Sequence, residues 1–257
     1  MRSHYLTKVF AVLEVEMRKL ERDPTDLATR ALQPALWLLV FGQVFTRTKA
    51  IPTGSISYEE FMTPGILAQS VLFMSIFYGL SAIWERDLGI LQKYLVSPTP
   101  RSALVLGKGL AAGVRGVAQA VLLTALAMAV GVHLSVHPVH IVGVLIAIML
   151  GAAFFSTFSL VIACLVKSRE RFMGIGQVLT MPLFFASNAI YPVTMMPKWL
   201  QTISHLNPLT YQVDALRALM LDQPAAATSI ATDFAVLAAA TGGLVVIAAR
   251  LYARLGT

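Results

Sequence analysis

Residues 84–101 read WERDLGILQKYLVSPTPR, a charged and helix-compatible segment that lies between two long apolar runs. Charged side chains inside a bilayer are costly, so such a segment must stand in water between membrane spans. Its charges can make charge-assisted contacts, while its leucines and tyrosine can anchor it in an apolar groove. The segment predicts a short helix that docks on a soluble partner, although most charge runs are solvated loops. The candidate docking residues are Glu85, Arg86, Asp87, Leu88, Leu91, Lys93, Tyr94 and Leu95.

The composition is typical of an integral membrane protein. Of the 257 residues, 57% are hydrophobic and 13% are charged, whereas soluble domains have about 25% charged residues. The mean hydropathy is +0.72. In a soluble protein the net charge of +7 would suggest nucleic acid, but here the basic residues flank apolar runs, as the positive-inside rule requires. We therefore expect membrane lipids as partners and no nucleic acid.

The apolar runs predict a single all-helical membrane domain, residues 1–257, with both termini in the cytoplasm. A spanning helix needs about 20 apolar residues. Residues 4–22 have the alternating faces of an amphipathic interfacial helix, and residues 85–101 contain the docking helix. Residues 191–222 are too polar and too rich in proline to span, and they predict two short re-entrant helices on the outer side. The six predicted spans are residues 31–46, 61–84, 103–134, 141–166, 172–190 and 230–249.

Two further groups of residues are candidate sites. Asn207-Pro208 has the pattern of an N-cap followed by proline at the first helical position, and Asp214 and Arg217 are spaced to pair, unless they are solvated. With Tyr211, these residues predict an outer gate. Aromatic side chains and one amide could line a path for a bulky amphipathic substrate, and helix packing explains them equally well. They are Phe73, Phe77, Tyr78, Phe184, Phe185 and Asn188.

Other kinds of site have little support in the sequence. His133, His137 and His140 lie close together, but no carboxylate or cysteine is near them in sequence, so we predict no metal site. Gly109 and Gly113 match GxxxG, a close-packing pattern of membrane helices. No catalytic constellation is present, so neither a membrane enzyme nor a cofactor is expected.

The order of these elements carries a resemblance to a known family. The charged segment Glu85–Pro98 and the later segment Asn207–Arg217 (NPLTYQVDALR) both occupy the expected places between the spans. The chain resembles the ABC-2 type exporter permeases, which have the type V exporter fold, over nearly its whole length. It is most similar to the branch of antibiotic-export (daunorubicin-resistance-like) and nodulation-factor-export permeases.

This resemblance implies a half-permease that forms a homodimer and works with two copies of a separate ABC ATPase. Residues 85–95 would be the coupling helix that sits in a groove of the ATPase. The chain has no GxxxxGK[ST] phosphate loop, since Gly107-Lys108 is followed by Gly109. ATP and Mg would therefore be bound by the partner subunit.

The expected function is export of an amphipathic drug, antibiotic or lipid-like substrate across a bacterial inner membrane. A permease for lipid-linked polysaccharide or oligosaccharide is the main alternative, because those permeases share the six-span plan. An ion-coupled secondary transporter is a weaker alternative, since it would need inverted repeats and ionisable groups near the midplane. A non-transporting assembly factor also stays open.

Overall fold

The computed structural model describes residues 2–22, 25–49, 51–53, 56–97, 99–166, 168–221 and 228–252, which form helices and connecting loops without any strand. The α-helices are α1 (Arg2–Arg22), α2 (Thr25–Leu36), α3 (Gln43–Thr48), α4 (Tyr58–Asp87), α5 (Ile90–Val96), α6 (Arg101–Ala129), α7 (Pro138–Leu165), α8 (Arg169–Phe185), α9 (Lys198–Leu206), α10 (Pro208–Met220) and α11 (Ile230–Leu251). A π-helical segment, Trp37–Gly42, joins α2 to α3, and a short 3₁₀ turn, Val193–Met195, precedes α9.

Four of the described helices, α4, α6, α7 and α11, are long and apolar enough to cross a membrane. They cover all or most of the second, third, fourth and sixth predicted spans, and the all-helical membrane architecture is confirmed. The other two predicted spans lie in shorter helices. Residues 31–46 are divided by the π-helical segment, and α8, which covers most of residues 172–190, has 17 residues. Crossing of the membrane by these two segments stays a prediction.

The third span ends earlier than the sequence suggested. We predicted it to extend to residue 134, but α6 ends at Ala129. Gly131 adopts a left-handed conformation with φ of 95°, and the N–H of Val132 donates to the carbonyl of Ala127 at 3.1 Å. This is a Schellman motif, in which a left-handed glycine closes the last turn. Val132 and Ala127 also share a small apolar cluster, the contact that often accompanies the motif.

The charged segment of residues 84–101 contains the end of one helix and the whole of the next. α4 continues through Asp87, and Gly89, with φ of 70°, turns the chain into α5. Glycine accepts this left-handed conformation without steric cost. Glu85, Arg86 and Asp87 are therefore the last turn of a long helix, and not part of a separate docking helix. We call Trp84–Val96 the α4–α5 corner.

Close helix packing around α4 and α7 forms the core. The backbone N–H of Gly79 in α4 donates to Ser159 Oγ in α7 at 3.1 Å. A Cβ at position 79 would lie 2.2 Å from that oxygen, so the crossing requires glycine. Gly109 and Gly113 of α6 face α7, but a Cβ built at either position would make only ordinary van der Waals contacts, so this part of the crossing does not require glycine.

The N-terminal helix α1 packs lengthwise on α6. Val9 and Glu16 are buried, whereas Leu6 and Phe10 are more than half exposed, which fits an amphipathic helix at a membrane surface. A Cβ built at Gly107 of α6 would lie 2.7 Å from Val12 Cβ. Glycine at position 107 therefore allows α1 to approach α6 closely.

The segment before the last helix forms the predicted pair of short helices. α9 and α10 meet at Asn207, whose side-chain Oδ1 accepts from the N–H of Leu209 at 3.0 Å, and Pro208 is the first residue of α10. Asn207 Nδ2 also donates to the carbonyl of Leu183 at 2.6 Å, which ties the junction to α8. The cap and the proline position are confirmed, while the depth of the pair in a membrane stays a prediction.

Candidate docking surface and buried charge clusters

The α4–α5 corner presents a surface that combines apolar and charged side chains. Leu88 is 70% exposed and Val96 is 87% exposed, unusual values for large apolar residues beside charges. Lys93 is also exposed. Asp87 Oδ2 accepts from Arg169 Nε at 2.8 Å, so the first turn of α8 lies beside the corner. We call Asp87, Leu88, Lys93 and Val96 the docking surface.

The structure separates the candidate docking residues into two groups. Arg86 is half-buried and pairs with Asp87 at 2.9 Å, and Tyr94 is half-buried as well. Glu85 and Leu91 point inward and are 5% and 0% exposed. These two residues do not belong to the exposed surface of the subunit, because their side chains pack against other helices. The side chain of Leu95 lies outside the described residues, and the docking role itself stays a prediction.

Glu85 belongs instead to a buried network of charges that joins α1, α4 and α6. Lys108 Nζ donates to Glu85 Oε2 at 2.7 Å, and Lys19 Nζ donates to Glu85 Oε1 at 2.8 Å. Lys19 also donates to Glu16 Oε1 at 2.9 Å, and Lys108 lies 3.6 Å from the same oxygen. Arg115 Nη2 approaches Glu16 Oε2 at 3.8 Å. We call Glu16, Lys19, Glu85, Lys108 and Arg115 the charge cluster.

Neighbouring opposite charges favour the ionised forms of Glu16 and Lys19. Burial alone would raise the pKa of Glu16, but the charges of Lys108 and Lys19 outweigh it and lower the pKa from the ordinary value of 4.5. Burial would lower the pKa of Lys19, but Glu16 and Glu85 outweigh that effect and raise it. The ring of Tyr78 lies beneath the cations, with Arg115 Cζ 5.3 Å from its centroid.

Sequence reasoning did not find the charge cluster, because its members come from distant parts of the chain. In the sequence, Lys108 and Arg115 belong to the basic residues that flank apolar runs, and Glu16 lies within the predicted amphipathic helix of residues 4–22. One signal was available: two basic residues spaced seven apart lie on the same face of an otherwise apolar helix. Such residues need partners, since buried charges in membrane helices are paired.

A second buried cluster surrounds the residues predicted to form the outer gate. Arg217 is 1% exposed, and its Nη2 donates to the carbonyl of Asn188 at 2.9 Å. Arg217 Nη1 lies 3.6 Å from Asp214 Oδ1, which also accepts from Asn188 Nδ2. The guanidinium is 4.0 Å from the ring centroid of Phe61. We call Phe61, Asn188, Asp214 and Arg217 the polar cluster.

Burial of the polar cluster shows which of two arrangements Asp214 and Arg217 adopt, a buried pair or a solvated one. Asp214 and Arg217 pair inside the protein, so they are not a solvated surface pair. Thr228 Oγ1 donates to Asp214 Oδ2 at 3.2 Å and also contacts Asp233 of α11. Tyr211 is half-buried and donates to the carbonyl of His205 at 2.7 Å. Gating by these residues stays a prediction.

The residues predicted to line a substrate path are not gathered at one cavity of the subunit. Tyr78, Phe184 and Asn188 are buried, and Phe73 and Phe77 are half-buried in α4. Phe185 alone of the six lines an open apolar cavity of about 550 Å³ between the end of α8 and α9. The cavity is also lined by Leu183, Tyr191, Trp199, Ile203 and Leu206.

His137 and His140 lie next to each other, whereas His133 contacts a carboxylate elsewhere in the fold. His140 Nδ1 lies 3.1 Å from Ser135 Oγ, and the rings of His137 and His140 lie 5.4 Å apart. His133 Nδ1 is 3.5 Å from Glu60 Oε1, a carboxylate that is distant in sequence. Among the described residues, no group of three or more His, Cys, Asp or Glu side chains could hold a metal ion.

Apolar spanning helices around a packed core, with a charged corner between two of them, define a polytopic helical membrane protein. Comparison with known proteins specifies which kind. The sequence profile of the ABC-2 type transporter family matches residues 7–221. The chain belongs to this family, whose members are transport permeases that typically work with an ABC ATPase.

Individual relatives agree with the family match. The chain is similar to the ycf38 transport permease of Cyanophora paradoxa, with 30% identity over 84% of this chain and 74% of the relative. It is 25% identical to the daunorubicin resistance ABC transporter permease protein DrrB1 of Streptomyces coeruleorubidus, over 90% of this chain and 80% of the relative. It is 27% identical to the inner membrane transport permease YadH of Escherichia coli K12, over 71% of this chain and 70% of the relative.

Proposed function

We propose that this permease is the membrane subunit of an ATP-driven exporter that moves an amphipathic drug, antibiotic or lipid-like molecule out of the cytoplasm or inner leaflet. Two copies of the chain form a homodimer in the bacterial inner membrane, and two copies of a separate ABC ATPase bind ATP and Mg. Both termini lie in the cytoplasm. The single observation that carries the proposal is the docking surface at the α4–α5 corner.

The docking surface has the chemistry of a protein interface that is incomplete in the isolated subunit. Leu88 and Val96 expose apolar surface whose removal from water would favour association. Lys93 supplies an exposed positive charge beside them, which would help to fix the orientation of a partner, and Asp87 lies next to them in its pairs with Arg86 and Arg169. A lipid-facing role is disfavoured because charges surround these apolar groups.

Basic residues support the proposed orientation. Arg86 and Lys93 lie in the corner, and Arg169 and Arg171 lie at the start of α8. Arg250 lies near the end of α11, and the next residue, Leu251, packs against the apolar cluster that contains Leu91 of the corner. Positively charged loops stay in the cytoplasm in most membrane proteins. The docking surface would therefore face the compartment that contains ATP.

A substrate of amphipathic character is favoured by the cavity beside Phe185. Its lining is mainly apolar and aromatic and includes the polar residues Tyr191 and Asn207, the pattern of sites that bind small apolar molecules. The name of the Streptomyces relative refers to daunorubicin resistance, which also favours a drug. Export of a lipid-linked saccharide is the alternative that the experiment must separate, while ion-coupled transport is the least favoured.

Transport into inverted vesicles tests the proposal. The permease would be co-expressed with its ABC ATPase, and uptake of an anthracycline would be compared with uptake of a lipid-linked oligosaccharide. We expect uptake of the anthracycline that needs hydrolysable ATP and is lost when the ATPase is omitted. Uptake of the saccharide alone would replace the proposed substrate class. Uptake driven by an ion gradient without ATP would contradict the exporter assignment.

A further inference from the structure

The charge cluster ties three helices together at the point where α4 turns into α5. Glu16 belongs to α1, Lys108 to α6, and Glu85 lies in the last turn of α4, which ends at Asp87. Both oxygens of Glu85 are bound. Lys19 of α1 donates to Oε1 at 2.8 Å, and Lys108 of α6 donates to Oε2 at 2.7 Å. Displacement of the α4–α5 corner therefore moves a carboxylate that is attached to both other helices.

We propose that Glu85 and Lys108 are positioning residues through which the α4–α5 corner moves the interfacial helix α1 during the transport cycle. The inference rests on the proposed docking of an ATPase at that corner. It gives α1 an active role, because a helix that only anchored the chain in the interface would not need buried charges on its inner face.

Burial makes the contacts from Glu85 through Lys108 to Glu16 stiff, whereas Lys19 is 43% exposed and its ion pairs yield more easily. The side chains of Glu16, Glu85 and Lys108 are 2%, 6% and 5% exposed. Separating such pairs would leave a charge buried without its partner, which is strongly unfavourable. When the corner shifts, the favourable response is movement of the three helices together, with the pairs kept intact. Exposed ion pairs would not have this property, because water replaces a lost partner at little cost.

Apolar side chains also connect the corner to α6 and α1. Leu91 of α5 is fully buried in one cluster with Ile83 of α4 and Leu104 of α6, and Val12 of α1 packs against this cluster. Gly107, next to Lys108, allows α1 to approach α6 so closely that a Cβ there would collide with Val12. The corner, α6 and α1 thus form one packed body, with the charge cluster at its centre.

The test removes one anion and one cation together. The double variant Glu85→Gln/Lys108→Met keeps the net charge of the cluster and leaves Glu16 paired with Lys19. The matched control, Glu14→Gln/Arg18→Met, removes the exposed pair of α1, which is 2.6 Å long. Co-purification with the ATPase, basal hydrolysis and substrate-stimulated hydrolysis would be measured for each. We expect the double variant to assemble and keep basal hydrolysis, while substrate stimulation falls roughly tenfold, with the control unchanged.

Movement of α1 is measured without altering the cluster. Val9→Cys, in a Cys164→Ala background, places a thiol on the face of α1 that is buried against α6. Its labelling by a maleimide should differ between the nucleotide-free and vanadate-trapped states, and the difference should disappear in Glu85→Gln/Lys108→Met. Lys108→Arg, which keeps the cation, should preserve the difference in labelling between the two states.

The outcomes separate the inference from the proposed function. Equal labelling of Val9→Cys in both states would overturn the inference, as would full substrate stimulation in the double variant. Either result would leave the exporter assignment intact if the wild-type complex still assembles and hydrolyses ATP. Failure of the wild-type permease to bind or stimulate the ATPase would instead contradict the proposed function.

Discussion

Lys108 Nζ lies 2.7 Å from Glu85 Oε2, and both side chains are buried between α4 and α6. The two residues are 23 positions apart in the sequence, and the residues of the docking surface lie between them in the chain. This ion pair joins the last turn of α4 to α6. The docking surface is therefore connected to α6 by a charged contact inside the protein. The corner is therefore rigidly attached to the membrane helices.

Removing one partner of this pair should destabilise the permease strongly. Lys108→Ala leaves Glu85 and Glu16 short of a cation in a buried site, and we expect a loss of about 3–5 kcal/mol in the free energy of unfolding. Arg18→Ala, which breaks the exposed pair with Glu14, should cost about 1 kcal/mol or less. Thermal unfolding in detergent measures both. Equal effects of the two substitutions would contradict the buried pairing.

The stability that Glu16 contributes should depend on pH at the acid side. Because its folded-state pKa is lowered, the contribution is complete above the unfolded value of 4.5 and is lost as pH falls through the folded pKa. The difference in melting temperature between wild type and Glu16→Gln should therefore be constant from neutral pH to about pH 5 and shrink below it. A difference that grows on acidification would show that Glu16 is not ionised in the folded state.

The approach of α1 to α6 should depend on Gly107. Gly107→Ala forces Val12 and the carbonyl of Val9 away, since the new Cβ would lie 2.7 and 2.9 Å from them, and we expect a cost of about 1–3 kcal/mol. Gly174→Ala is the matched control within a helix, because no atom lies within 4 Å of its built Cβ. It should be neutral or stabilise by up to about 1 kcal/mol. Comparable losses at the two sites would contradict the packing of α1.

The polar cluster should require arginine at position 217. Arg217→Lys keeps the charge but cannot donate in a fixed planar geometry to the carbonyls of Asn188 and Phe61, 2.9 and 3.3 Å from Nη2. We expect a loss of about 1–3 kcal/mol, the cost of buried acceptors without donors. Arg250→Lys, at an exposed position of α11, should have no effect on unfolding. A neutral Arg217→Lys would indicate that charge alone matters there.

Local patterns in the sequence were sufficient to predict much of the fold. The apolar runs located the four long helices, Asn207-Pro208 placed the start of α10, and the GxxxG pair lies at a helix contact, although the pattern did not identify α7 as the partner. These features depend on residues close together in the chain. The end of α6 was missed because the helix-stopping residue, Gly131, stands in an apolar run where glycine is common in membrane helices.

Long-range pairing accounts for what the sequence did not predict. Glu85 was predicted to be a docking residue because it lies in a charged segment of the sequence, but its partners Lys19 and Lys108 come from other helices. The exposure of Leu88 and the burial of Leu91 likewise depend on the turn at Gly89, which redirects the chain after α4. Periodicity along one segment carries no information on such partners.

The most direct test of the account is the affinity of the ABC ATPase for the purified permease. Leu88→Glu/Lys93→Glu alters exposed side chains of the docking surface only, and Lys198→Glu provides a charge reversal at an exposed position of α9, on the predicted outer side. We predict that the double variant folds normally and binds the ATPase at least about tenfold more weakly, a change of 1.4 kcal/mol. Lys198→Glu should bind like wild type. Unchanged affinity in the double variant would contradict docking at the α4–α5 corner.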